Sequence, residues 1–317
     1  MSAQAAPVVL TYLSSIHEAV GSLRGVRRML PSPPLQRLGR AWLQERVLPG
    51  QLSRPDDITI VIGSRDRVDY RLVNALRSIR SQTYPADLVR IVLVDYGSAP
   101  ASARRAQSMC SEHKAEYVRV DDVSTWSRSR CLNVGIRRAD TKFVITSDVD
   151  VVLSPRYLSD AVRLLTTSPL SVVCSAMLDL PEESAEVLES SAHMGESLQY
   201  DAWREWCRPR YDWELHPSIS MAYTIMYQVV RGLDEYYEVW GYEDADLLRR
   251  FVYLGLEPKG LGSDSFYMHQ WHQDAERGRY GAHAACTERN RAHFAKTHSI
   301  LRNGPDWGSA STFRRAA

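Results

Sequence analysis

Short runs of aliphatic and β-branched residues alternate with helix-periodic segments through the first half of the chain. Apolar runs predict strands at residues 58–62, 90–94, 116–120 and 142–146. Apolar positions at helical spacing predict helices over residues 69–82, 128–139 and 245–256. The order of the first six elements, β-α-β-β-α-β, predicts an α/β fold with a mainly parallel central sheet flanked by helices.

Polar residues follow three of these strands directly. Ser64–Arg67 come after the first strand, Asp95–Ser98 after the second, and Asp148–Asp150 after the fourth. Ligands of open parallel sheets bind outside the carboxyl ends of the strands. We therefore expect the functional site at this edge of the sheet.

The first 55 residues have a different character. They contain seven arginines and two acidic residues, a net charge of +5, and their apolar residues recur at helical spacing around prolines at positions 31, 33 and 34. A basic amphipathic segment of this kind can rest on an anionic membrane surface. It can equally be a helical extension packed on the main domain or on a second subunit.

Composition narrows the class of protein. The 317 residues are 44% hydrophobic and 24% charged, as in soluble globular proteins, and the net charge of +1 argues against a nucleic-acid partner. No run of about 18 apolar residues and no signal-peptide pattern is present. Five scattered cysteines without a CxxC pair argue against a zinc knuckle or a disulfide scaffold. We expect a cytoplasmic protein that can lie at the inner face of the membrane.

Two carboxylates lie two positions apart in Asp148-Val-Asp150, after an apolar strand and before Val151-Val-Leu153. Mg²⁺ or Mn²⁺ held by one or two carboxylates completes its coordination with phosphate oxygens. A solvated acidic turn is the alternative, but charges between two apolar runs are costly to bury unless they are paired or bound to metal.

Two further motifs carry candidate chemistry. In Trp240-Gly-Tyr-Glu-Asp244, the tryptophan could stack on a sugar and a carboxylate could act as a base, although acids also suit the start of the following helix. His269 and His272 are three positions apart, and one imidazole could complete the metal coordination, favouring Mn²⁺ over Mg²⁺. A hydrogen-bonded loop explains the two histidines equally well.

Together, five segments resemble the GT-A nucleotide-sugar glycosyltransferases, similar to family two, over residues 57–275. The nearest likeness is to the β-1,4-galactosyltransferase and bacterial chondroitin-synthase branch. The matching segments are Ile62-Gly-Ser-Arg-Asp-Arg67, Val94-Asp-Tyr-Gly-Ser98, Ser127-Arg-Ser-Arg-Cys-Leu-Asn-Val-Gly135, Phe143-Val-Ile-Thr-Ser-Asp-Val-Asp150 and Trp240-Gly-Tyr-Glu-Asp244. Tyr242 departs from the second glycine that relatives often carry, and we expect its ring to narrow the acceptor site.

The resemblance implies a role for each matching position. The catalytic residues would be Asp244 as base and Glu243 as a sugar-binding residue. The donor would be bound by Ser64, Arg65, Arg67, Asp95, Arg130, Asn133, Asp148 and Trp240. The metal, Mn²⁺ or Mg²⁺, would be held by Asp150 and Asp148 with His272 or, as the second choice, His269.

The implied reaction is an inverting transfer from a nucleotide sugar, with UDP favoured, to a carbohydrate, glycolipid or small-molecule acceptor. Residues 273–289 resemble a mobile lid over the donor. A nucleotidyltransferase acting on sugar phosphates is a weaker alternative, because a glycine-rich loop with lysine is missing after the first strand. A catalytically inactive carbohydrate-binding or scaffold protein is a second alternative.

The predicted organisation has three parts. Residues 1–55 form the basic helical extension, which could make peripheral membrane contact. Residues 56–302 form the glycosyltransferase domain, with a nucleotide-binding half at 56–155 and an acceptor-binding half with the lid at 156–302. Residues 303–317 form a flexible tail. An aromatic-rich stretch at 196–216 is interpreted as an amphipathic helix or as an acceptor-binding insert.

Overall fold

The computed structural model describes residues 33–121, 123–210, 215–273 and 283–309. The strands are β1 Ile58–Ser64, β2 Val89–Tyr96, β3 Glu116–Val120, β4 Phe143–Asp148, β5 Val151–Leu153, β6 Ser171–Ser175, β7 Met177–Asp179, β8 Arg208–Pro209, β9 His216–Tyr223, β10 Glu257–Lys259 and β11 Tyr267–His269. The helices are α1 Pro33–Trp42, α2 Pro49–Leu52, α3 Tyr70–Arg80, α4 Pro100–Glu112, α5 Arg128–Arg138, α6 Tyr157–Thr167, α7 Ala185–Met194, α8 Tyr200–Trp206, α9 Thr224–Val230, α10 Glu243–Leu254 and α11 His283–Lys296. A π-helical turn covers Leu43–Val47, and 3₁₀ turns cover Ala86–Leu88 and Glu182–Ser184.

The central sheet of the described chain has seven strands in the order β10-β6-β9-β4-β1-β2-β3. β4, β1, β2 and β3 are parallel, whereas β9 runs antiparallel to both β4 and β6. The predicted α/β class with a mainly parallel sheet is therefore confirmed. β1 is buried along its whole length, as expected for a central parallel strand covered on both faces.

A smaller sheet in the order β5-β11-β7-β8 lies beside the carboxyl edge of the central one. Its own core is built on Trp203, which is only 1% exposed and packs with Leu188 and Met268. Part of the aromatic-rich stretch is therefore the predicted amphipathic helix, here α8. Trp206 on the same helix is exposed, and residues 211–214 of that stretch lie outside the described residues.

The helices next to the sheet begin at capping side chains. The Asp69 carboxylate accepts a hydrogen bond from the Arg71 backbone at the start of α3, and the Ser127 hydroxyl accepts one from the Arg130 backbone at the start of α5. The helix predicted at 245–256 begins two residues earlier, so Glu243 and Asp244 lie in the first turn of α10 and not before it. The first turn is favourable for these acids because of the positive end of the helix dipole.

The described part of the N-terminal extension packs on the main domain. Leu43 is fully buried, and the Arg40 guanidinium donates to the Gly255 carbonyl at 3.1 Å, where α10 ends. The packed interpretation therefore holds for residues 33–52. The opposite face leaves Leu38 and Trp42 exposed. The more N-terminal helical piece lies outside the described residues, and no helix in the described ranges is long and apolar enough to cross a membrane.

Two expectations concern the C-terminal region. The lid was expected over residues 273–289; its last part, from His283, belongs to α11, residues 274–282 lie outside the described residues, and the lid stays a prediction. The flexible tail was expected from residue 303, but the Asn303 amide donates to the Arg231 and Leu233 carbonyls and Trp307 is buried. Arg137 also donates to the Trp307 carbonyl, so residues 303–309 are packed, and residues 310–317 lie outside the described residues.

The packing of α5 against the sheet predicts the effect of Gly135→Ala. A Cβ at this position would come within 2.3 Å of Cγ1 of Val61 and 3.2 Å of Cγ2 of Val94. Overpacking against two branched strand residues costs about 1–3 kcal/mol, which outweighs the gain in helix propensity of about 1 kcal/mol. We expect a lower midpoint of thermal unfolding. Gly262→Ala is the control, because no atom lies within 4 Å of its Cβ position; stabilisation by Gly135→Ala would contradict this packing.

Candidate active site

The polar ends of three strands meet at one edge of the central sheet, as predicted. Ser64 pairs with Asp95 across β1 and β2, and Gly63 pairs with Asp148 across β1 and β4. The smaller sheet adds His269 at the end of β11. Residues far apart in the sequence therefore form a single cluster.

Asp150, His269 and His272 bring their ligand atoms within 4.8 Å of one another. Oδ2 of Asp150 lies 3.8 Å from Nε2 of His269 and 3.6 Å from Nε2 of His272. All three side chains are largely buried, and Arg67 approaches the same Asp150 oxygen at 3.5 Å. One carboxylate oxygen and two imidazole nitrogens are a suitable donor set for a divalent transition-metal ion.

Protonation in this cluster suits metal binding. Burial lowers the pKa of His272 to about 4, so its imidazole is neutral at neutral pH. Burial opposes ionisation of Asp150, but the charges of His269 and Arg67 outweigh it and lower the pKa of that carboxyl. A neutral imidazole and an ionised carboxylate are the forms that bind a metal.

Asp148 does not join this cluster. Its carboxylate accepts hydrogen bonds from Nε of Arg128 at 2.6 Å and from Nη2 at 3.2 Å. Nη1 of the same guanidinium donates to Asp244 at 2.5 Å, and Nη2 also donates to the Ser218 carbonyl. The described structure does not bring Asp148 into the group formed by Asp150, His269 and His272, because Arg128 ties it to the candidate base.

More carboxylates lie around Arg128 than its single positive charge can neutralise. Asp148, Glu243 and Asp244 lie around the single guanidinium of Arg128, and Glu243 is only 6% exposed. Burial raises the pKa of Asp244 to about 8; Arg128 opposes the rise, whereas Glu243 and Asp148 add to it. Burial likewise raises the pKa of Glu243. Asp244 therefore titrates in the range in which a general base is most effective.

Asp246, the third acid of the motif, has a structural role. It is fully buried and accepts hydrogen bonds from Arg249 at 2.8 Å and from Arg250 at 2.7 Å. It lies two positions after Asp244, about 200° further round α10, and therefore faces the interior. The sequence alone did not separate it from Asp244.

Three of the expected donor-binding residues lie in or next to the loop after β1, and the others lie elsewhere in the fold. Arg67 faces the Asp150 cluster, and Arg65 lies at the edge of the site, 3.4 Å from the Val123 carbonyl. Ser64 is buried, and its hydroxyl donates to the Arg67 carbonyl. These residues line the loop that follows β1.

Asp95 is fully buried. Its carboxylate accepts hydrogen bonds from the Tyr117 hydroxyl at 2.5 Å, from Arg119 at 3.0 Å and from the Ser98 backbone at 3.0 Å. These bonds order the turn after β2, and Ser98 in turn accepts from the Asp66 backbone. In this structure Asp95 shapes the edge of the candidate nucleotide site instead of presenting a free carboxylate to it.

Arg130 and Asn133 hold another segment of the chain. The Arg130 guanidinium donates to the Glu235 carbonyl, and the fully buried Asn133 side chain bonds the backbone of Leu233 and the carboxylate of Glu235. They therefore stabilise the segment that leads to Trp240, and their expected proximity to the donor stays a prediction. Arg128, two positions before Arg130, is a residue of the candidate site that the sequence analysis missed.

The loop that carries Trp240 is exposed at its tip and anchored beneath. Trp240 is 53% exposed. The Asn290 side-chain nitrogen lies 3.0 Å from the Glu238 carbonyl, 3.1 Å from that of Trp240 and 3.3 Å from that of Gly241. The ring of Tyr242 packs against Phe294 of α11, and the expectation that it narrows the acceptor site stays a prediction.

Tyr242 has a φ of +76°, in the left-handed region that favours glycine. Gly241 before it has a φ of +100°. A glycine at both positions would fit this backbone without strain. The tyrosine ring at position 242 contacts Phe294 of α11.

Asp179 and Arg210 are two more residues that the sequence analysis missed. Asp179 lies 3.1 Å from Nδ1 of His269, and Arg210 binds Asp179 through two nitrogens at 2.6 and 2.5 Å. Burial opposes ionisation of Asp179, but hydrogen bonds with His269 and Arg210 lower its pKa to about 2. No local motif marks these residues, because β7 and β11 meet only through the fold.

The raised pKa of Asp244 predicts a pH-dependent effect of Asp244→Asn on stability. Between pH 3.8, the ordinary value, and about 8, the folded protein keeps a proton that the unfolded chain releases. The protonated carboxyl of Asp244 therefore makes its full contribution to the free energy of unfolding below pH 3.8. That contribution is lost as the pH rises toward 8. The amide does not titrate. We expect Asp244→Asn to gain about 2–4 °C in unfolding midpoint over the wild type between pH 5 and 8, the shift for about 1 kcal/mol.

Differential scanning calorimetry across that pH range measures the effect. Asp264→Asn is the control, because its carboxylate is exposed and remote from Arg128. If the unfolding midpoints of Asp244→Asn and the wild type changed with pH in parallel, that result would contradict the raised pKa of Asp244.

Comparisons with known proteins agree with this architecture. A model of the family described as glycosyltransferase-like family 2 matches residues 59–256. The structure of S. aureus TarS 1–349 in complex with UDP has a TM-score of 0.50 at 14% identity, covering 68% of this chain and 60% of that one. The complex of the same fragment with UDP-GlcNAc has a TM-score of 0.47 at 14% identity, covering 68% and 59%. No curated protein sequence matches this chain significantly.

The described chain thus spans less than two thirds of those solved chains. At 14% identity the likeness to the UDP complex shows the fold alone. That fold is the GT-A fold expected from the sequence.

Proposed function

Because this chain belongs to glycosyltransferase-like family 2 and is a glycosyltransferase, we propose that it moves a hexose from a UDP-sugar to an acceptor hydroxyl with inversion. The observation that carries the proposal is the pairing of two sites at one sheet edge. Asp150, His269 and His272 form a donor set for a metal, and Arg128 links Asp244 to Asp148, two positions before Asp150.

The first of these sites would hold Mn²⁺ in preference to Mg²⁺, because two of its three donors are imidazole nitrogens. When bound, the ion would offset the charge that the diphosphate leaving group gains in the transition state. Arg67, 3.5 Å from Asp150, would bind the same phosphates. The relevance of UDP is supported by TarS, which has been solved with UDP and with UDP-GlcNAc.

Asp244 would take the proton from the acceptor hydroxyl. A base on the face of the sugar opposite the leaving group directs attack to that face, which inverts the anomeric carbon, and we assign this role to Asp244. Arg128 fixes the orientation of the Asp244 carboxylate and links it to Asp148 near the donor. Glu243, buried behind Asp244, would hold the sugar.

The acceptor would be a glycan, a glycolipid or a small molecule, with the exposed ring of Trp240 as a stacking surface. The motif Trp240-Gly-Tyr-Glu-Asp244 at the start of α10 supports the β-1,4-galactosyltransferase and chondroitin-synthase branch. Peripheral contact with an anionic membrane through residues 1–55 is part of the proposal. The exposed Leu38 and Trp42, on the face of α1 that does not pack on the domain, support it.

Thermal unfolding with nucleotide sugars tests the donor site. A ligand at 100 times its dissociation constant stabilises the folded state by about 2.7 kcal/mol, which is about 5 °C or more in unfolding midpoint. We expect this shift with UDP-sugars in the presence of Mn²⁺, and its loss in Asp150→Ala. Asp264→Ala should keep it. A shift that persists unchanged in Asp150→Ala would contradict the metal site.

Transfer kinetics test the base. Asp244→Asn should lower kcat by about 10²–10⁴-fold, because the amide cannot accept the proton. In the wild type, kcat should rise with pH and level off above about 8, where Asp244 is ionised. Donor affinity should be nearly unchanged in the variant. Retention of more than a tenth of wild-type kcat by Asp244→Asn would exclude this residue as the base.

A further inference from the structure

The two ring nitrogens of His269 face different partners. Nε2 faces Asp150 at 3.8 Å, whereas Nδ1 lies 3.1 Å from Oδ1 of Asp179. The backbone holds this arrangement, because His269 and Asp179 are paired in register on parallel strands β11 and β7. The Leu180 backbone also donates to the His269 carbonyl at 3.0 Å.

Arg210 introduces a competing partner for the same nitrogen. Its Nη2 lies 2.9 Å from Nδ1 of His269 and 2.5 Å from Oδ1 of Asp179. Two tautomers of the neutral ring therefore fit these positions. If Nδ1 carries the proton, it donates to Asp179 and leaves the Nε2 lone pair facing Asp150. If Nδ1 accepts from Arg210, the proton is on Nε2, and that nitrogen cannot bind a metal.

We propose that Asp179 is a positioning residue that selects the metal-binding tautomer of His269, with Arg210 holding its carboxylate in place. The inference rests on the proposed metal site formed by Asp150, His269 and His272. A metal-bound histidine generally donates its other N–H to a carboxylate or a backbone carbonyl, which fixes the orientation and tautomer of the ring.

His272 shows the same arrangement with a different acceptor. Its Nδ1 lies 3.3 Å from the Gln273 backbone carbonyl, and its Nε2 lies 3.6 Å from Asp150. Both histidines therefore present Nδ1 to an oxygen and Nε2 to the same carboxylate. Only His269 has an arginine nitrogen within hydrogen-bond distance of Nδ1 among the contacts of the described residues. For His269, therefore, a carboxylate is needed to favour the Nδ1–H tautomer over the one that Arg210 favours.

The arrangement predicts an order of metal affinities among variants of Asp179 and Arg210. Asp179→Ala removes the acceptor and leaves the Arg210 donor, so the unfavourable tautomer of His269 gains population. Asp179→Asn keeps an acceptor oxygen without its charge and should lie between Asp179→Ala and the wild type. Asp179→Ala combined with Arg210→Ala removes the competing donor as well and should recover part of the lost affinity for metal.

Two measurements on the whole chain test the inference. Titration calorimetry with Mn²⁺ alone gives the metal affinity, and ¹⁵N spectra of the metal-free protein with labelled histidine give the tautomer of His269. We expect Asp179→Ala to bind Mn²⁺ about 10–100-fold more weakly than the wild type. Its His269 spectrum should shift from the Nδ1–H toward the Nε2–H tautomer. Circular dichroism of each variant confirms that it is folded.

Asp140→Ala is the matched control. This aspartate also pairs with an arginine, Arg90, at 2.9 Å, but it lies at the opposite edge of the sheet, before β4. Asp140→Ala should leave the affinity for Mn²⁺ and the tautomer of His269 unchanged.

The outcomes separate this inference from the proposed function. Wild-type affinity and an unchanged tautomer in Asp179→Ala would overturn the role of Asp179 while leaving the metal site intact. Failure of the wild type to bind Mn²⁺ would remove the proposed metal site, and the inference with it. Equal affinities for Asp179→Ala and the double variant would refute the competition between Asp179 and Arg210.

Discussion

An excess of negative charge around Asp150 and Asp244, at the carboxyl edge of the sheet, is the constraint on which the site depends. Five carboxylates in this part of the site have three arginines as their partners. The carboxylates belong to Asp148, Asp150, Asp179, Glu243 and Asp244, and the arginines are Arg67, Arg128 and Arg210. Buried charges of one sign are costly unless paired or bound to a cation. The position of each arginine therefore decides what its neighbouring carboxylates can do.

Each arginine meets this constraint differently. Arg128 is shared by Asp148 and Asp244, which leaves Asp244 under-compensated and its pKa raised. Arg210 neutralises Asp179 with two hydrogen bonds. Arg67 contacts Asp150 at 3.5 Å, a longer distance than Arg128 and Arg210 have to their carboxylates, so the Asp150 carboxylate retains the capacity to bind a cation. The proposed division of labour between a base and a metal ligand follows from these unequal pairings.

The supporting fold fixes these positions through ordinary packing. Arg128 starts α5 immediately after the capping Ser127, and Gly135 lets the same helix approach β1 closely. Asn290 anchors the loop that leads to the base from the other side. Small shifts in α5 or α11 would therefore move Asp244 relative to the donor site.

Local patterns predicted the strand ends well. Apolar runs with polar residues after them identified the edge of the sheet, and the spacing of Asp150, His269 and His272 identified the ligand candidates. The sequence did not reveal that Arg128 holds Asp148, because Arg128 and Arg130 look alike in a helix-starting segment. Only the packing of α5 decides that Arg128 faces the site and that Arg130 faces the Glu235 carbonyl.

Contacts between strands that are distant in the chain could not be predicted from the sequence either. Asp179 and Arg210 reach His269 only because β7 pairs with β11. Asn133 and Asp95 looked like ligand-binding residues, yet both are fully buried and bonded to neighbouring chain segments. Polar residues at strand and helix ends can serve the fold as well as a ligand, and only the contacts in the folded chain show which segments they bond.

A crystal structure of the complex with UDP and Mn²⁺, with the metal located by its anomalous scattering, is the most direct test of the central claim. The account predicts a manganese ion bound by a carboxylate oxygen of Asp150, by Nε2 of both His269 and His272, and by phosphate oxygens of UDP. Arg128 should still connect Asp148 with Asp244. A manganese ion bound by Asp148, or one that either histidine fails to bind, would contradict the account.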